Sequence, residues 1–425
     1  MSCSFQLTRV EGEGRVELRV ENNRVVDAIV AIPEAPRFFE HIVIGKPAEI
    51  VVDIVSRICG LCGSSYSFAA ARAFEKCFKI EVPEEIEVLR EAIHLAERVK
   101  SHAIHVFLLE FPDYIGVSSI LEANTLYSGI LERILKIISW SRKAMKILGG
   151  RFHNVVNITI GGVFSLPRKT DVQELAKTAK ELIRDVEYLA DTVLSLDIPV
   201  ENQELGELLT VYNGKEYPHL ADHIYAYNSK EYIELEKFEE YITVEQVPWS
   251  NALHYKLANG KNYVVGPIAR FNTAFNHLRG ETRDLLKSYG YLLPLTSIEQ
   301  SIIARIAELY DALLRLYDIL EQYRESRYSV SRVEYRARNG LCIAAVEAPR
   351  GILYHRYRVD DKGRVLECNL ITPTTQNLAS MEDLIKKVAI GRIFEAGIKK
   401  KAERIVRSFD PCISCSVHIV RLDNF

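Results

Sequence analysis

Two cysteine pairs of the same spacing lie near opposite ends of the chain. Cys59 and Cys62 lie in the segment Arg-Ile-Cys-Gly-Leu-Cys, and Cys412 and Cys415 lie in Asp-Pro-Cys-Ile-Ser-Cys. Thiolates are soft ligands that favour nickel, copper(I), zinc or iron–sulfur sites over hard cations. Either pair alone is equally consistent with a redox disulfide or with half of a zinc site.

The separation of the two pairs distinguishes them from a zinc ribbon. A zinc ribbon closes its pairs over a loop of roughly 15–20 residues, whereas almost the whole chain lies between these two pairs. If the four cysteines share one metal, the fold is built around that metal and buries it. Such a site suits catalysis better than it suits a structural clip.

Composition and charge exclude several classes of function. The 425-residue chain is 48% hydrophobic and 26% charged, as in ordinary globular proteins, and its net charge of −3 offers nucleic acid or an anionic membrane no electrostatic attraction. No apolar run approaches the roughly 18 residues of a membrane span, and the N-terminal sequence does not resemble a signal peptide. Eight cysteines are too few for a disulfide scaffold, so a reducing, cytoplasmic location is expected.

Hydrophobic periodicity predicts the elements that must bring the cysteines together. Alternating apolar residues predict strands at 5–10, 15–20 and 25–32. Apolar residues at three- and four-residue intervals predict long helices at 85–111, 118–148, 171–196, 297–323 and 381–409. Strand-rich regions are predicted at 217–271 and at 341–375, the second as a hairpin that turns at 360–363. The expected fold class is α+β, predominantly α, with a core of long helices and small sheets near the N and C termini.

One interwoven domain is predicted for residues 1–418. The two cysteine pairs must meet, and no internal repeat, low-complexity segment or linker divides the chain. Pro411 directly precedes Cys412, which predicts that the last long helix ends there.

The two cysteine segments resemble the two signatures of the nickel–iron hydrogenase large subunit, and the resemblance continues through six further segments in the same order. These segments are Arg9 to Gly12, Pro36 to Glu40, Ser101 to His105 followed by Asp113, Gly266 to Arg270, Glu347 to Gly351, and Pro373 to Asn377. The resemblance implies the hydrogenase large-subunit fold. It also implies the activity of that family, the reversible heterolytic cleavage of H2 to protons and electrons.

The resemblance implies a nickel–iron centre held by all four cysteines. In the family the first cysteine of each pair binds nickel terminally and the second bridges nickel to iron. Cys59 and Cys412 would then be terminal ligands, and Cys62 and Cys415 bridging ligands. The iron carries CO and cyanide ligands, and buried cyanide nitrogens need hydrogen-bond partners. The matching pocket positions are Pro349, Arg350 and Thr374.

The resemblance also assigns the groups that handle protons. Arg350 matches the arginine whose guanidinium hangs over the open coordination site, and Asp113 and Asp410 match the carboxylates that orient it. Glu11 matches the glutamate beside the second terminal cysteine, so it is the candidate proton gate. Without the resemblance, a salt bridge with Arg9 would be the favoured interpretation of Glu11.

A second metal site is implied for a hard cation, typically magnesium. Glu40 and His418 match its side-chain ligands, and the backbone carbonyl near Ile371 completes it. Carboxylate and carbonyl oxygens suit Mg²⁺, whereas a histidine ligand is less usual for it. The alternative is that His418 simply caps the terminal helix.

Two positions depart from the family pattern. Tyr66 occupies the position where the family commonly has histidine, four residues after the second cysteine of the first pair. A phenol can donate a hydrogen bond toward a bridging sulfur but carries no positive charge near neutral pH. His153 is followed by Asn154, where relatives often have proline, and the sequence alone gives no functional account of that change.

The family resemblance also predicts processing and partners. Residues 419–425 match an extension that an endopeptidase removes after maturation proteins have inserted the metals. The chain has no iron–sulfur motif beyond the four active-site cysteines, so electrons must leave through an iron–sulfur small subunit and further diaphorase or electron-transfer subunits. The segment 34–40 and the ending 416–418 most resemble soluble NAD(P)-linked and sulfhydrogenase-type enzymes.

Several alternatives stay open. An H2-sensing hydrogenase would use the same centre with slow turnover, and F420-linked or heterodisulfide-reductase-linked types would differ only in their partner subunits. The related quinone-reducing subunit of complex I has lost its cysteine ligands, so the intact pairs disfavour it. A structural zinc protein would contain zinc alone.

Overall fold

The computed structural model describes residues 2–291, 293–324 and 330–417. The predicted magnesium ligand His418 and the predicted extension at 419–425 therefore lie outside the described residues.

The described strands are short, and most of them lie in two regions of the chain. Their bounds are β1 Ser2–Gln6, β2 Arg15–Glu21, β3 Arg24–Ala31, β4 Ile158–Thr159, β5 Gly162–Val163, β6 Glu207–Val211, β7 Leu220–Ala221, β8 His223–Ala226, β9 Glu231–Glu234, β10 Ile242–Glu245, β11 His254–Leu257, β12 Tyr263–Val265, β13 Gly340–Ala348, β14 Gly351–Val359 and β15 Val365–Ile371.

Helices make up the centre of the molecule. Their bounds are α1 Phe39–Ile42, α2 Ala48–Ser56, α3 Gly63–Phe78, α4 Glu84–Ala103, α5 Phe111–Tyr114, α6 Ile120–Leu126, α7 Ile130–Gly149, α8 Lys169–Leu194, α9 Phe238–Tyr241, α10 Pro267–Ala274, α11 Gly280–Ser288, α12 Ser301–Gln322, α13 Pro373–Ala389, α14 Ala396–Phe409 and α15 Ile413–Ser416. A π-helical segment, Ile104–Glu110, continues α4, and single 3₁₀ turns lie at Leu235–Lys237, Phe275–His277 and Ile298–Gln300.

The long helices pack against one another as the sequence predicts. Helices α4, α7, α8 and α12 contact one another side by side, and each carries an apolar stripe with the three- and four-residue spacing of a buried helix face. One hydrophobic core runs from Phe5 near the N terminus to Val417. Burial of apolar area of this extent is the main stabilising contribution to the fold. None of the described helices is long and apolar enough to cross a membrane.

Small sheets flank the helices. Strands β1, β2 and β3 form an antiparallel meander; β2 and β3 match the strands predicted at 15–20 and 25–32, whereas β1 is Ser2–Gln6 and not 5–10. A second sheet has the order β12-β6-β8-β9, with β12 and β6 parallel. A third sheet has the order β15-β14-β13-β7. Its central pair ends with Ala348 opposite Gly351, so Pro349 and Arg350 form a two-residue turn at the tip of a hairpin.

The structure corrects three predicted elements. The helix predicted at 118–148 is broken at Gly129, and that predicted at 381–409 is broken at Gly391; both glycines adopt positive φ, which favours a residue without a Cβ atom. The hairpin predicted at 341–375 has three strands, because the stretch at 351–359 is itself β14.

Helices α2 and α3 precede the first helix that periodicity predicts. Most of the α3 side chains are buried. A helix buried on all sides lacks the polar face from which helical periodicity is recognised. Helix α3 lies against β13 and β14 and carries Cys62 at its N-cap position.

Candidate metal centre

The two cysteine pairs lie where helices end and begin. Helix α2 ends at Ser56, the chain loops through Cys59, and α3 begins directly after Cys62. On the other side α14 ends at Phe409, Asp410 adopts left-handed backbone angles, and Cys412 precedes the single turn of α15. The expected helix end before Pro411 is thus confirmed.

The structure brings the cysteine sulfurs together in the core. The Sγ atoms of Cys59 and Cys412 are 3.6 Å apart, and the Cys62 thiol lies 2.7 Å from the Cys59 sulfur. The sulfurs of Cys59, Cys412 and Cys415 all lie within 4.8 Å of one another. All four cysteines are buried.

The sulfurs of the second pair are in direct contact. Cys412 and Cys415 are joined as a disulfide, whereas Cys59 and Cys62 are free thiols. Because a thiolate, and not a disulfide sulfur, is the metal ligand, metal binding by all four cysteines requires the second pair in its reduced form.

Hydrogen bonds and charge favour a thiolate at Cys59. Burial raises the pKa of the Cys59 thiol, but the hydrogen bond from Cys62, the positive charge of Arg350 and two backbone N–H groups lower that pKa below its ordinary value. The backbone donors are those of Leu61 and Cys62, at 3.4 and 3.1 Å. The donated hydrogen bond and burial raise the pKa of Cys62 instead.

Arg350 reaches the cysteines from the tip of the β13–β14 hairpin. Its Nε donates to the Asp410 carbonyl at 2.9 Å, and its Nη2 donates to the Asp410 carboxylate at 3.0 Å. Its Nη1 is buried with no partner among the described residues. Burial opposes the charge of the guanidinium, but Asp410, Cys62 and Cys59 raise its pKa, so the side chain stays protonated.

Close backbone contact holds the hairpin tip in place. Gly266 has φ near +113°, and a Cβ at that position would lie 2.6 Å from the Arg350 carbonyl oxygen. Only glycine tolerates this approach. The segment 266–270, which resembles a family motif, therefore places Arg350 by contact.

Glu11 lies beside the second cysteine pair, as the resemblance implies. It forms an isolated parallel bridge with Cys412; its carbonyl accepts the Ile413 N–H at 3.0 Å, and its carboxylate accepts the Ser414 N–H at 3.2 Å. Its carboxylate thus bonds the cysteine segment itself. The alternative partner Arg9 pairs with Asp113 instead.

Thr374 contacts the same cysteine segment from α13. Its hydroxyl accepts the backbone N–H of Cys412 at 3.0 Å, and the side chain is buried. This places Thr374 next to Cys412, in contact with the segment that Arg350 also contacts through Asp410.

The Asp113 carboxylate contacts two other arginines and not Arg350. Its carboxylate accepts from Arg407 at 2.8 and 3.0 Å and pairs with Arg9. Among the described contacts, the carboxylate partner of Arg350 is Asp410, whose own pKa is lowered, against burial, mainly by Arg350. The structure therefore gives the orienting contact to Asp410 and not to Asp113, which instead ties α14 to the N-terminal segment.

The predicted magnesium ligands are only partly described. The Glu40 carboxylate accepts the backbone N–H of Leu370, so it lies beside β15 and next to Ile371. The structure thus brings Glu40 close to Ile371, and their role as magnesium ligands stays a prediction.

Both departures from the family pattern lie close to the first pair. Tyr66 is buried, its hydroxyl has no partner among the described residues, and burial together with Cys62 and Cys59 raises its pKa well above the ordinary value. The Asn154 side-chain amide donates to the carbonyls of Ser56 and Cys59, the second at 3.0 Å. Asn154 has φ near +46°, which proline cannot adopt.

A buried ionic network behind Arg350 was missed from the sequence. The Arg270 guanidinium contacts the carboxylates of Glu308 and Glu347, each at 2.7 Å, and donates to the carbonyls of Ala348 and Pro349 at 3.0 and 2.9 Å. These two carbonyls immediately precede Arg350. Arg270 and Glu347 lie in two of the segments that resemble the family. The sequence therefore indicated that they matter but did not show which residues they contact.

The centre is separate from an open groove of about 1010 Å³ on the protein. That groove is lined by residues between 202 and 208, 227 and 231, and 257 and 262, among others, and by no residue predicted for the site. The candidate centre is enclosed, so a substrate that reaches it must be small.

The donor set fits a soft transition metal. Three buried sulfurs converge within 4.8 Å, a fourth lies beside them, and an unpartnered guanidinium nitrogen belongs to the adjoining arginine. Thiolates at this density suit nickel and iron.

Comparisons with known proteins agree with this geometry. The sequence profile described as nickel-dependent hydrogenase matches residues 37–164 and 206–418. The alpha subunit of sulfhydrogenase 1 from Pyrococcus furiosus is 33% identical over 98% of this chain and 97% of its own length. The A subunit of the F420-non-reducing hydrogenase vhu from Methanocaldococcus jannaschii is 29% identical over 90% of this chain and 97% of its own length.

Solved structures share the fold. A chain of an NAD⁺-reducing [NiFe]-hydrogenase in the H2-reduced state aligns with a TM-score of 0.87 at 21% identity and covers 98% of this chain and 99% of that one. A [NiFeSe]-hydrogenase chain from Dm. baculatum aligns with a TM-score of 0.79 at 22% identity and covers 98% and 100%. The predicted α+β fold is confirmed.

Proposed function

This chain belongs to the nickel-dependent hydrogenases, a family of oxidoreductases that act on H2, and we propose that it interconverts H2 with protons and electrons at a nickel–iron centre held by its four cysteines. One observation carries the proposal. Cys59 lies 353 residues before Cys412 in the chain, yet the buried sulfurs of Cys59, Cys412 and Cys415 converge within 4.8 Å, next to Cys62 and in the field of Arg350.

The cysteines would hold the two metals as the resemblance implies, with Cys59 and Cys412 on nickel and Cys62 and Cys415 shared with iron. Such a centre, with CO and cyanide on the iron, supplies the redox chemistry and the site at which H2 is split. Pro349, Arg350 and Thr374 are proposed to line the pocket of the diatomic ligands. The Thr374 hydroxyl is already adjacent to Cys412.

The chain's own residues position charge and protons. Arg350 keeps its charge because Asp410 and the thiolates raise its pKa, and its unpartnered Nη1 is available to polarise a small molecule at the centre. Glu11 is proposed as the proton gate, since its carboxylate bonds the N–H of Ser414, two residues after Cys412. Asp410 orients Arg350.

Electrons are proposed to leave through a partner. Beyond the two pairs, the cysteines Cys3, Cys77, Cys342 and Cys368 are scattered along the chain, so this chain offers no second metal cluster in sequence. We propose an iron–sulfur small subunit and further electron-transfer subunits. The proposed acceptor is NAD(P) or a similar molecule, by analogy with the NAD⁺-reducing [NiFe]-hydrogenase whose fold this chain shares.

Two finer features belong to the same proposal. Glu40, the carbonyl near Ile371 and His418 are proposed to bind magnesium, which is supported by the position of Glu40 beside β15. Maturation proteins are proposed to load the metals, after which an endopeptidase would remove residues 419–425.

Metal analysis and infrared spectroscopy of protein purified from its native host test the proposal. The expected result is nickel and iron together, infrared bands of bound CO and cyanide, and H2-dependent reduction of NAD(P). Zinc alone would overturn the proposal. Activity with F420 but not with NAD(P) would retain the hydrogenase and replace the acceptor.

A substitution makes the test specific to the cysteines. Cys59→Ala is expected to abolish H2 uptake and to lower the nickel content, because it removes a terminal ligand. Cys3→Ala on β1 is the matched control and should leave both unchanged. Near-normal uptake by Cys59→Ala would exclude its role as a ligand.

A further inference from the structure

The π-helical segment Ile104–Glu110 carries two buried ionisable side chains that the proposed chemistry does not use. His105 and Glu110 are 1% and 0% exposed. π-helical turns inside helices occur frequently at functional sites. The segment contacts α4, α5, α12 and α14, so it lies between the helical core and the helix that leads to Asp410.

The two oxygens of Glu110 have different surroundings. Oε1 accepts hydrogen bonds from the hydroxyls of Ser408, at 2.7 Å, and Tyr114, at 3.1 Å. Oε2 is buried with no partner among the described residues, and it lies 3.6 Å from Nδ1 of His105. That Nδ1 is equally buried and equally without a partner.

The other nitrogen of His105 fixes its tautomer. Nε2 lies 2.7 Å from the carbonyl oxygen of Arg407, which only accepts hydrogen bonds, so Nε2 carries a proton. Nδ1 is then the acceptor of the neutral ring. A proton on Glu110 Oε2 would give both orphaned atoms a partner after a shift of a few tenths of an ångström. Nε2 also lies 3.9 Å from the Asp410 carboxylate, which binds Arg350.

The charges around Glu110 are consistent with a proton held there. Burial raises the pKa of Glu110 to about 7, although Arg305 and the hydroxyl donors oppose the shift, and Asp113 adds to it. Burial lowers the pKa of His105 to about 3. The groups that face Glu110 from the neighbouring elements are Tyr114 and Asp113 on α5, Arg305 on α12, Ser408 on α14, and His105 on its own segment.

We propose, on the basis of the hydrogenase function above, that Glu110 is a proton-carrying group that serves the Arg350–Asp410 side of the centre, exchanging its proton inward with His105 and outward through Tyr114. Tyr114 is half-buried, and its hydroxyl donates both to the Glu110 carboxyl at 3.1 Å and to the Glu299 carbonyl at 3.0 Å, which makes it the outer end of the route. This route differs from the Glu11 gate, whose carboxylate bonds the backbone N–H of Ser414, after Cys412 in the chain.

The inward step moves one proton and no electrons. The O–H bond at Glu110 Oε2 breaks as an N–H bond forms at His105 Nδ1, which leaves a carboxylate beside an imidazolium. The imidazolium then passes its Nε2 proton to the Asp410 carboxylate, 3.9 Å away, and a flip of the imidazole ring restores the Nε2–H tautomer that the Arg407 carbonyl holds. The carboxylate recovers a proton at Oε1 from the Tyr114 hydroxyl, which takes one from water. In the opposite direction the same bonds form and break in reverse order.

The substitution Glu110→Gln in the assembled, metal-loaded enzyme separates proton transfer from structure. Glutamine keeps the acceptor for Ser408 and Tyr114 and can donate to His105, but it cannot release a proton. In infrared spectra, the wild type should show the carbonyl band of a protonated carboxyl group that shifts in D2O and is lost as the pH rises through about 7. Glu110→Gln should lack that band. Glu299→Gln, another buried carboxylate, is the matched control and should retain it.

Exchange between H2 and D2O tests whether the proton moves. We expect Glu110→Gln to lower the exchange rate about tenfold, less than a sole acid–base group would cost because Glu11 offers a second route, and to remove the step near neutral pH from the rate profile. Tyr114→Phe should slow exchange while keeping the carboxyl band.

Each contrary result has a defined meaning. A wild-type spectrum without the titrating band would overturn the proposal, and so would an exchange profile that Glu110→Gln leaves unchanged. A metal-loaded wild type that shows the band but exchanges no hydrogen would overturn the proposed function itself.

Discussion

Arg350 and Asp410 are joined by two hydrogen bonds, from Nε to the Asp410 carbonyl at 2.9 Å and from Nη2 to its carboxylate at 3.0 Å. Asp410 lies two residues before Cys412, so the contact fixes the guanidinium to the cysteine segment. The remaining nitrogen, Nη1, is buried with no partner among the described residues. The Nη1 group of Arg350 is therefore a hydrogen-bond donor at the centre that has no partner among the described residues.

Replacing Arg350 by lysine tests whether the Nη1 donor of the guanidinium is needed for activity. Arg350→Lys keeps the positive charge but loses the planar fork that bonds Asp410 with two nitrogens. We expect H2 oxidation to fall by about 10²–10³-fold, as when one preorganised donor is removed from other active sites, while nickel and iron stay bound. Dye-linked H2 oxidation and metal analysis of the same sample measure both. A rate within a few-fold of wild type would show that charge alone is sufficient.

Glu11→Gln tests the proposed proton gate. The amide can still accept the Ser414 N–H, so the cysteine segment should keep its position and its metals. Because the amide cannot carry a proton, exchange between H2 and D2O should be suppressed. Glu13→Gln, an exposed neighbour, serves as the control. Unaffected exchange in Glu11→Gln would move the gate elsewhere.

Asn154→Ala tests a contact that holds the first cysteine loop. Its amide donates to the carbonyls of Ser56 and Cys59, and the alanine variant leaves both acceptors without that donor. The free energy of unfolding should fall by about 1–3 kcal/mol, with lower nickel occupancy because the loop is less ordered. Denaturant titration and metal analysis give the two values. Wild-type stability with full nickel occupancy would show that the first cysteine loop keeps its structure without the Asn154 hydrogen bonds.

The raised pKa of Glu110 predicts a pH dependence of stability. This pKa is about 7 in the folded chain, against an ordinary 4.5. Between these values the folded state binds more protons than the unfolded state, so the free energy of unfolding falls as the pH rises. The difference corresponds to roughly 3 kcal/mol across that range. The stability difference between wild type and Glu110→Gln should therefore change with pH from about 4.5 to 7, as measured by denaturant titrations; a constant difference would contradict the raised pKa.

Much of the fold could be predicted from the sequence because its helices are amphipathic. Helices α4, α7, α8 and α12 have one apolar stripe each, and their three- and four-residue periodicity is local information. Helix α3 was missed because it is buried on most sides. Strand β14 was missed within a region recognised as β-structure, because its first five residues are all buried and alternation in polarity begins only at Arg356.

Some features of the candidate site could also be predicted from the sequence, and others could not. Cys59, Cys412, Glu11, Arg350 and Thr374 lie around one point in the structure, and the roles that the motifs imply for them stay predictions. Asp113 does not contact Arg350, because Arg9 and Arg407 hold its carboxylate. The sequence did not explain why asparagine occupies position 154. The structure does, because the Asn154 amide bonds the first cysteine loop, and this contact depends on how α2 and the segment after α7 pack.

The sequence by itself determined the donor set and the chemical class. Residue type and short spacing are local properties, and two Cys-x-x-Cys pairs with their flanking motifs are sufficient to identify a thiolate centre of this family. Only the tertiary structure decided which carboxylate holds Arg350 and which buried atoms have no partner. The His105 contact with Arg407 spans 302 residues and that of Arg350 with Asp410 spans 60. Contacts at such separations arise from the packing of α4, α12 and α14 around the core, so local sequence patterns do not encode them.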